Sequence, residues 1–222
     1  MKEVTGLLVM DVDGTLIQQE GIDLLAQEAG VGQKVAEITA QAMNGELDFK
    51  ASLQARVALL KGLEASIFPK IVEQMDVTPG AKILITELHQ RGYKVGLVSG
   101  GFHEVIDPIA KSLGIDQVRA NRLQTFDGRL TGKVLGEIVT PERKKDSLLT
   151  WAREYHIPRS QTIAMGDGAN DLPMIETAGI GIAFMAKPIV AERAPYRIET
   201  RDLSLVLEIL DQHRKETACI SY

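Results

Sequence analysis

A chain of 222 residues, 45% hydrophobic and 25% charged, has the composition of a globular protein and is long enough for one large domain carrying a smaller insertion. Its formal charge of -5 and its lack of any long basic run argue against nucleic-acid binding, which needs a dense Lys/Arg surface. No stretch approaches the roughly 18 uncharged apolar residues that suggest a membrane span, so a membrane protein is not expected.

The first element follows almost directly on Met1, Lys2 and Glu3, with no basic and apolar leader pattern, and no added N-terminal domain is expected. The single cysteine, Cys219, cannot form an internal disulfide. Together these features lead us to expect a cytoplasmic protein of a reducing compartment.

The apolar run in "GLLVMDVD" (6–13) reads as a buried strand. Residues 18 to about 76 then show helical patterns only: "GIDLLAQEAG", "VAEITAQAMNG", "FKASLQARVALLKG" and "SIFPKIVEQM". They are expected to form a small all-helical insertion, leaving 1–17 and 77–222 as the core. "PGAKILITELHQRG" follows the Pro-first, Gly-last pattern of a helix, and "YKVGLVSG" (93–100) reads as a second buried strand.

Further along, the Asp-Gly pair in "LQTFDGRLTGKVLG" (123–136) marks a hairpin. "TPERKKDSLLTWAREYH" has Thr140 as N-cap before Pro141, then "SQTIAMGDG" (160–168) and "AGIGIAFM" (178–185) read as strands. Strands alternating with amphipathic helices indicate an α/β fold with a mainly parallel sheet. "KGLEASIFPK" and "ETRD" read as ordinary charged surface. His89, His103, His156 and His213 read as surface or satisfied structural residues.

The chemistry gathers at strand ends. Ligands of open parallel sheets bind beyond the carboxyl ends of the strands. There the chain places Asp11 and Asp13 before Gly14 and Thr15, then Ser99-Gly100-Gly101, then Gly166-Asp167-Gly168-Ala169-Asn170-Asp171. An Asp-x-Asp alone is usually an Asx turn or a solvated strand end, but carboxylates converging on one crevice need a positive partner. With no Cys or His beside them the environment is all oxygen, which suits Mg²⁺ and, through it, a phosphate. Ser99 with its two glycines at a helix start offers a phosphate cradle. Lys144 can neutralise charge between an attacking carboxylate and a phosphoryl group, with Lys145 as the competing choice.

These motifs resemble the haloacid dehalogenase-like phosphohydrolases. D-x-D-G-T at 11–15 is shared across that superfamily, whereas "SGGF" (99–102), "GDGANDLPMI" (166–175) and "AFMAKP" (183–188) look like its phosphoserine phosphatase branch. The resemblance implies a Rossmann-like core, with the helical insertion as a cap. It implies Asp11 as nucleophile, Asp13 as general acid/base and Lys144 as the third-motif lysine. Ser99, Gly100 and Asn170 would contact phosphate. Magnesium would be held by Asp11, Asp167 and the backbone carbonyl of Asp13, supported by Asp171.

In the cap, the resemblance implies Glu20 for the substrate ammonium and Arg56 for its carboxylate. Phe49 is either part of an apolar lid or simply cap core. Gly14 departs from the serine that many members of the branch carry. The expected activity is hydrolysis of a small phosphomonoester, with L-phosphoserine first, another amino-alcohol, homoserine or sugar phosphate second, and a non-catalytic phosphate sensor third. A monomer or homodimer is expected.

Overall fold

The computed structural model describes residues 4–43 and 46–220, and for Met43 and residues 217–220 the backbone alone. The expectations on Met1 to Glu3, on a helix end at Asn44 and Gly45, and on the Cys219 thiol fall outside the described residues. In chain order the elements are β1 (Gly6–Met10), α1 (Gly21–Glu28), α2 (Gly32–Met43), α3 (Phe49–Ala58), α4 (Phe68–Glu73), α5 (Ala81–Gln90), β2 (Tyr93–Phe102) and α6 (His103–Leu113). After these come β3 (Gln117–Phe126), β4 (Arg129–Leu135), α7 (Pro141–Glu154), β5 (Thr162–Gly166) and α8 (Leu172–Thr177). The last are β6 (Ile180–Phe184), α9 (Pro188–Arg193), β7 (Tyr196–Ile198) and α10 (Val206–Ile220).

The seven strands form one sheet in the order β4-β3-β2-β1-β5-β6-β7, with every pair parallel except β3 and β4. The sheet is therefore doubly wound, and its order reverses at β1. β1 is buried along its whole length. Because a strand's side chains alternate between faces, Leu8 and Met10 join the cluster with α5, α6 and α10, while Leu7 and Val9 join Trp151 of α7 and Ile175 of α8. An unbroken apolar run such as Leu-Leu-Val-Met suits this two-sided burial.

Residues 16–19 and 76–78 run past each other where the chain leaves and re-enters the sheet. Thr78 N–H donates to Leu16 O at 2.8 Å and Gln18 N–H to Asp76 O at 3.0 Å. Between these crossings lie α1 to α4, whose Leu25, Val35, Leu53, Val57 and Ile71 are buried in the same cluster as one face of the sheet.

The hairpin forms at Asp127-Gly128, both with positive φ. Its first strand starts earlier than the sequence suggests. β3 pairs parallel with β2 from Gln117 and turns to antiparallel pairing with β4 at Arg122. The hairpin is tied to the turn after α3, since Gly62 N–H donates to Leu130 O, Leu130 N–H to Leu63 O and Ala65 N–H to Gly128 O, each at 2.8 Å.

Two segments read as plain surface are more than that. "KGLEASIFPK" supplies these turn bonds and packs Ile67 and Phe68 against the core. In "ETRD", half-buried Arg201 donates to Gly14 O at 3.5 Å and Asp202 caps the following turn through Ser204. Both tie distant parts of the chain, which local charge content cannot reveal.

Candidate active site

Asp11 is the first residue past β1, and its N–H donates to Met165 O of β5 at 3.0 Å. That bond sets it at the point where the strand order reverses, the expected ligand crevice of a doubly wound sheet. Its Oδ1 accepts from Val12 N–H at 2.7 Å, and its Oδ2 meets Lys144 Nζ at 2.8 Å. The same ammonium donates to Asp171 Oδ1 at 2.7 Å. Lys144 and Asp171 are fully buried, and Asp11 nearly so.

The choice between the two lysines follows from helical phase. The buried face of α7 carries Lys144, Ser147, Leu148, Trp151 and Ala152, spaced i, i+3, i+4, i+7 and i+8, and Lys145 falls outside it. Thr140 caps this helix as expected, accepting from Arg143 N–H at 3.3 Å.

Asp13 sits in the turn that follows. Its Oδ1 accepts from Gly21 N–H at the start of α1 at 2.8 Å, and its Oδ2 accepts from Ser99 Oγ at 2.9 Å. Ser99 Oγ in turn accepts from Gly101 N–H at 2.7 Å. A β-carbon on Gly101 would lie 2.6 Å from Asp13 Oδ2, so only glycine allows this approach. Gly14 has φ +72°, where side chains are disfavoured, and a β-carbon there would lie 2.9 Å from Asp167 Oδ2. The glycine at the departure from the branch pattern thus suits this turn.

One cavity is lined by Asp11, Asp13, Glu20, Phe49, Arg56, Gly100, Asp167 and Asn170. Ser99 and Lys144 lie directly behind its wall, both buried. Phe49, first residue of α3, packs its ring over Gly100, whose β-carbon position is 3.1 Å from Phe49 Cζ. Residues of the helical segment and of the strand ends therefore share one space.

The electrostatics are those of crowded acids. Burial, then Asp171, raise the Asp11 carboxyl well above its usual range, and Lys144 only partly offsets them. Asp167 is pushed up to about 6 by burial and Asp171, against the pull of Lys187 and Lys144. Glu20 is pushed up to about 8 by withdrawal of its carboxylate from water and by Asp13, Asp167 and Asp23, although the residue as a whole is exposed. Burial disfavours charge on Lys144, yet Asp11 and Asp171 outweigh it and hold the ammonium above its usual value. Burial lowers Arg56, opposed by Glu20, Asp23 and Asp13.

Acids displaced upward in this way ask for a cation. Carboxylate oxygens of Asp11, Asp167 and Asp171 lie within 4.8 Å of one another. An all-oxygen set of this charge fits a hard divalent cation. Asp11 and Asp167 line the cavity, whereas Asp171, bound to Lys144 and accepting from Gly168 N–H at 3.1 Å, stands outside that lining.

Several residues at the site escaped the sequence reading. Lys187 lines the cavity, and its N–H donates to Asp167 O at 3.0 Å. Ile22 and Leu53 form apolar wall. Asn121, buried in β3, donates to Gly100 O at 2.7 Å. Lys187 lies in the quoted "AFMAKP" and could have been singled out there, whereas Asn121 carries no local signal. All four histidines stand apart from the cavity lining: His89 pairs with Asp116, His103 with Asp107, and His213 with Tyr196.

A sequence model described as haloacid dehalogenase-like hydrolase matches residues 8–176, which include Asp11, Asp13, Ser99, Lys144, Asp167 and Asn170. The chain belongs to this family. It is 64% identical over 212 residues to a phosphoserine phosphatase of Streptococcus thermophilus, covering 96% of this chain and 99% of that protein. Among solved structures it is similar to a phospho-aspartyl intermediate analogue of phosphoserine phosphatase, at 44% identity and TM-score 0.87, covering 93% of this chain and 99% of the other. It is equally similar to a substrate-bound phosphoserine phosphatase complex, at 43% identity and TM-score 0.88, covering 94% and 99%. This family member is an enzyme, a phosphoric monoester hydrolase, with the family's α/β fold. Among the described residues no helix is long and apolar enough to cross a membrane.

Proposed function

We propose that this hydrolase converts L-phosphoserine to serine and phosphate through an aspartyl-phosphate on Asp11, with Mg²⁺ as cofactor. The observation that carries this reading is the shared cavity: Arg56 and Glu20 face the same space as Asp11. A guanidinium for a carboxylate, a carboxylate for an ammonium and an activated acid for a phosphoryl group match the three charged ends of phosphoserine. The similar phosphoserine phosphatases, one of them a phospho-aspartyl intermediate analogue and one a substrate-bound complex, support the same reading.

In this proposal Asp11 attacks phosphorus while the leaving serine oxygen takes a proton from Asp13. Asp13 then removes a proton from the water that hydrolyses the acyl-phosphate. Ser99, the amide of Gly100 and Asn170 hold the phosphoryl oxygens, and Lys144 orients Asp11 beside Asp171 and favours its ionised form. Asp11, Asp167 and the carbonyl of Asp13 would hold Mg²⁺. When bound, the ion would neutralise phosphoryl charge and favour the ionised form of the acids.

Residues 18–76 would act as the cap, with Phe49, Ile22 and Leu53 limiting water during the acyl-phosphate's life. A cytoplasmic monomer or homodimer working on a free small molecule, without nucleic acid or membrane, completes the proposal. The test is phosphate release with Mg²⁺ from L-phosphoserine, D-phosphoserine, phosphoethanolamine, glycerol phosphate and a sugar phosphate, with EDTA and Asp11→Asn controls. Strong preference for L-phosphoserine is expected. Preference for another ester would keep the chemistry and replace the substrate, and no metal-dependent release from any would overturn the reading.

A further inference from the structure

Asn121 is an asparagine with 1% of its surface exposed, set in β3 at the step where that strand exchanges β2 for β4 as its partner. Both ends of its amide are used. Nδ2 donates to Gly100 O at 2.7 Å, and Oδ1 accepts from Val139 N–H at 2.9 Å. The partners fix this orientation, because a flipped amide would set oxygen against oxygen and N–H against N–H.

The bonds continue in one direction. Gly100 O and Gly101 N–H belong to the same peptide group. That N–H donates to Ser99 Oγ, and Ser99 Oγ donates to Asp13 Oδ2. Held at its oxygen by Asn121 and at its nitrogen by Ser99, the Gly100–Gly101 peptide has both of its polar groups committed. Without Asn121, Gly100 O would be a partly buried carbonyl without this partner, between two glycines that resist rotation weakly. Val139 lies one residue before the Thr140 cap of α7, so the same side chain also ties the irregular end of β2 to the helix that carries Lys144.

We infer that Asn121 is a positioning residue for the reaction: it fixes the Gly100–Gly101 peptide and, through it, the direction of the Ser99 hydroxyl toward Asp13. This rests on the phosphoesterase reading above. Asn121 is not part of the cavity lining and acts through the Gly100–Gly101 peptide of β2 and the Val139 link to α7.

Two variants test it. Asn121→Ala removes both bonds. Asn121→Asp keeps an acceptor for Val139 but sets an anion against Gly100 O. For folded samples of each, kcat should fall by on the order of 10- to 100-fold, the scale of an ångström-sized misplacement, with a much smaller change in KM. Combined with Ser99→Ala, Asn121→Asp, which keeps the Val139 bond, should cost little beyond Ser99→Ala alone, because both then act through the Gly100–Gly101 peptide. Independent of turnover, amide exchange at Gly101 should speed up by about tenfold or more in both variants while Val95 and Leu97 of β2 keep their protection.

Full additivity of Asn121→Asp with Ser99→Ala, or unchanged Gly101 exchange in both variants, would overturn the inference. If the unaltered enzyme released phosphate from no ester, the functional reading would fall, and the exchange result alone would decide the role of Asn121 in holding the Gly100–Gly101 peptide.

Discussion

Lys144 and Asp171 form an ion pair at 2.7 Å in which neither side chain meets solvent. The pair is incomplete as a unit, since the same ammonium also serves Asp11 at 2.8 Å. One cation thus balances two buried acids, and a second positive charge is needed before both can be fully ionised.

Removing that cation should be costly. Lys144→Ala leaves two carboxylates facing each other in a dry site, and loss of one partner from a buried pair costs about 3–5 kcal/mol. We expect lost activity and a clear drop in denaturant midpoint, while Lys145→Ala on the same helix leaves both nearly unchanged. Equal effects at the two positions would show that the pairing does not matter.

Asp11→Asn should abolish phosphate release without loss of fold. Because burial and Asp171 already disfavour the ionised form of Asp11, the neutral amide should leave the metal-free melting temperature at neutral pH equal or higher. Measurable turnover beyond contamination would exclude Asp11 as nucleophile, and a large fall in melting temperature would show that its bond to Lys144 dominates.

Arg56→Ala should separate substrates by their carboxylate. A charge-assisted hydrogen bond contributes about 1.5–3 kcal/mol, so KM for L-phosphoserine should rise roughly 10- to 100-fold. Phosphoethanolamine, which lacks that carboxylate, should be affected far less. Parallel losses on both esters would make Arg56 a structural residue of α3.

The acids of the site also set a pH dependence. Glu20 is raised from 4.5 to about 8 and Asp167 from 3.8 to about 6. A raised acid binds its proton more tightly in the folded state, so its contribution is most favourable below the unfolded value and declines as pH rises toward the folded value. The metal-free protein should therefore lose melting temperature from about pH 4 to 8, and Mg²⁺ should flatten the upper part of that decline. Glu20→Gln should remove part of the slope above pH 6. Scanning calorimetry across this range, with and without Mg²⁺, checks both; a metal-free melting temperature that rises from pH 5 to 8 would contradict the assigned shifts.

Much of the architecture could be read from residues because the signals are local. The Leu-Leu-Val-Met run, the Thr140-Pro141 helix start and the Asp127-Gly128 turn each state their conformation within a few positions. Even the competition between Lys144 and Lys145 had a legible answer in the spacing of Leu148, Trp151 and Ala152. Asn121 did not, since "QVRANRLQTF" mixes charged and polar residues around it and its burial comes from a carbonyl 21 residues away. Arg201 and β7 were missed for the same reason: three short strand residues and one distant hydrogen bond leave no periodic trace.

The stitching of the hairpin to residues 62–65 has a mechanical consequence. Three backbone bonds and the Arg129 guanidinium, which grips Gly62 O and Glu64, couple the turn after α3 to the tip of β3 and β4. Any swing of α3 away from the mouth must either tear this seam or carry the hairpin along. Carrying it along flexes β3 where it changes partners, beside Asn121. The doorway and the floor of the cavity hang on one lever, so a change that loosens one is transmitted to the other.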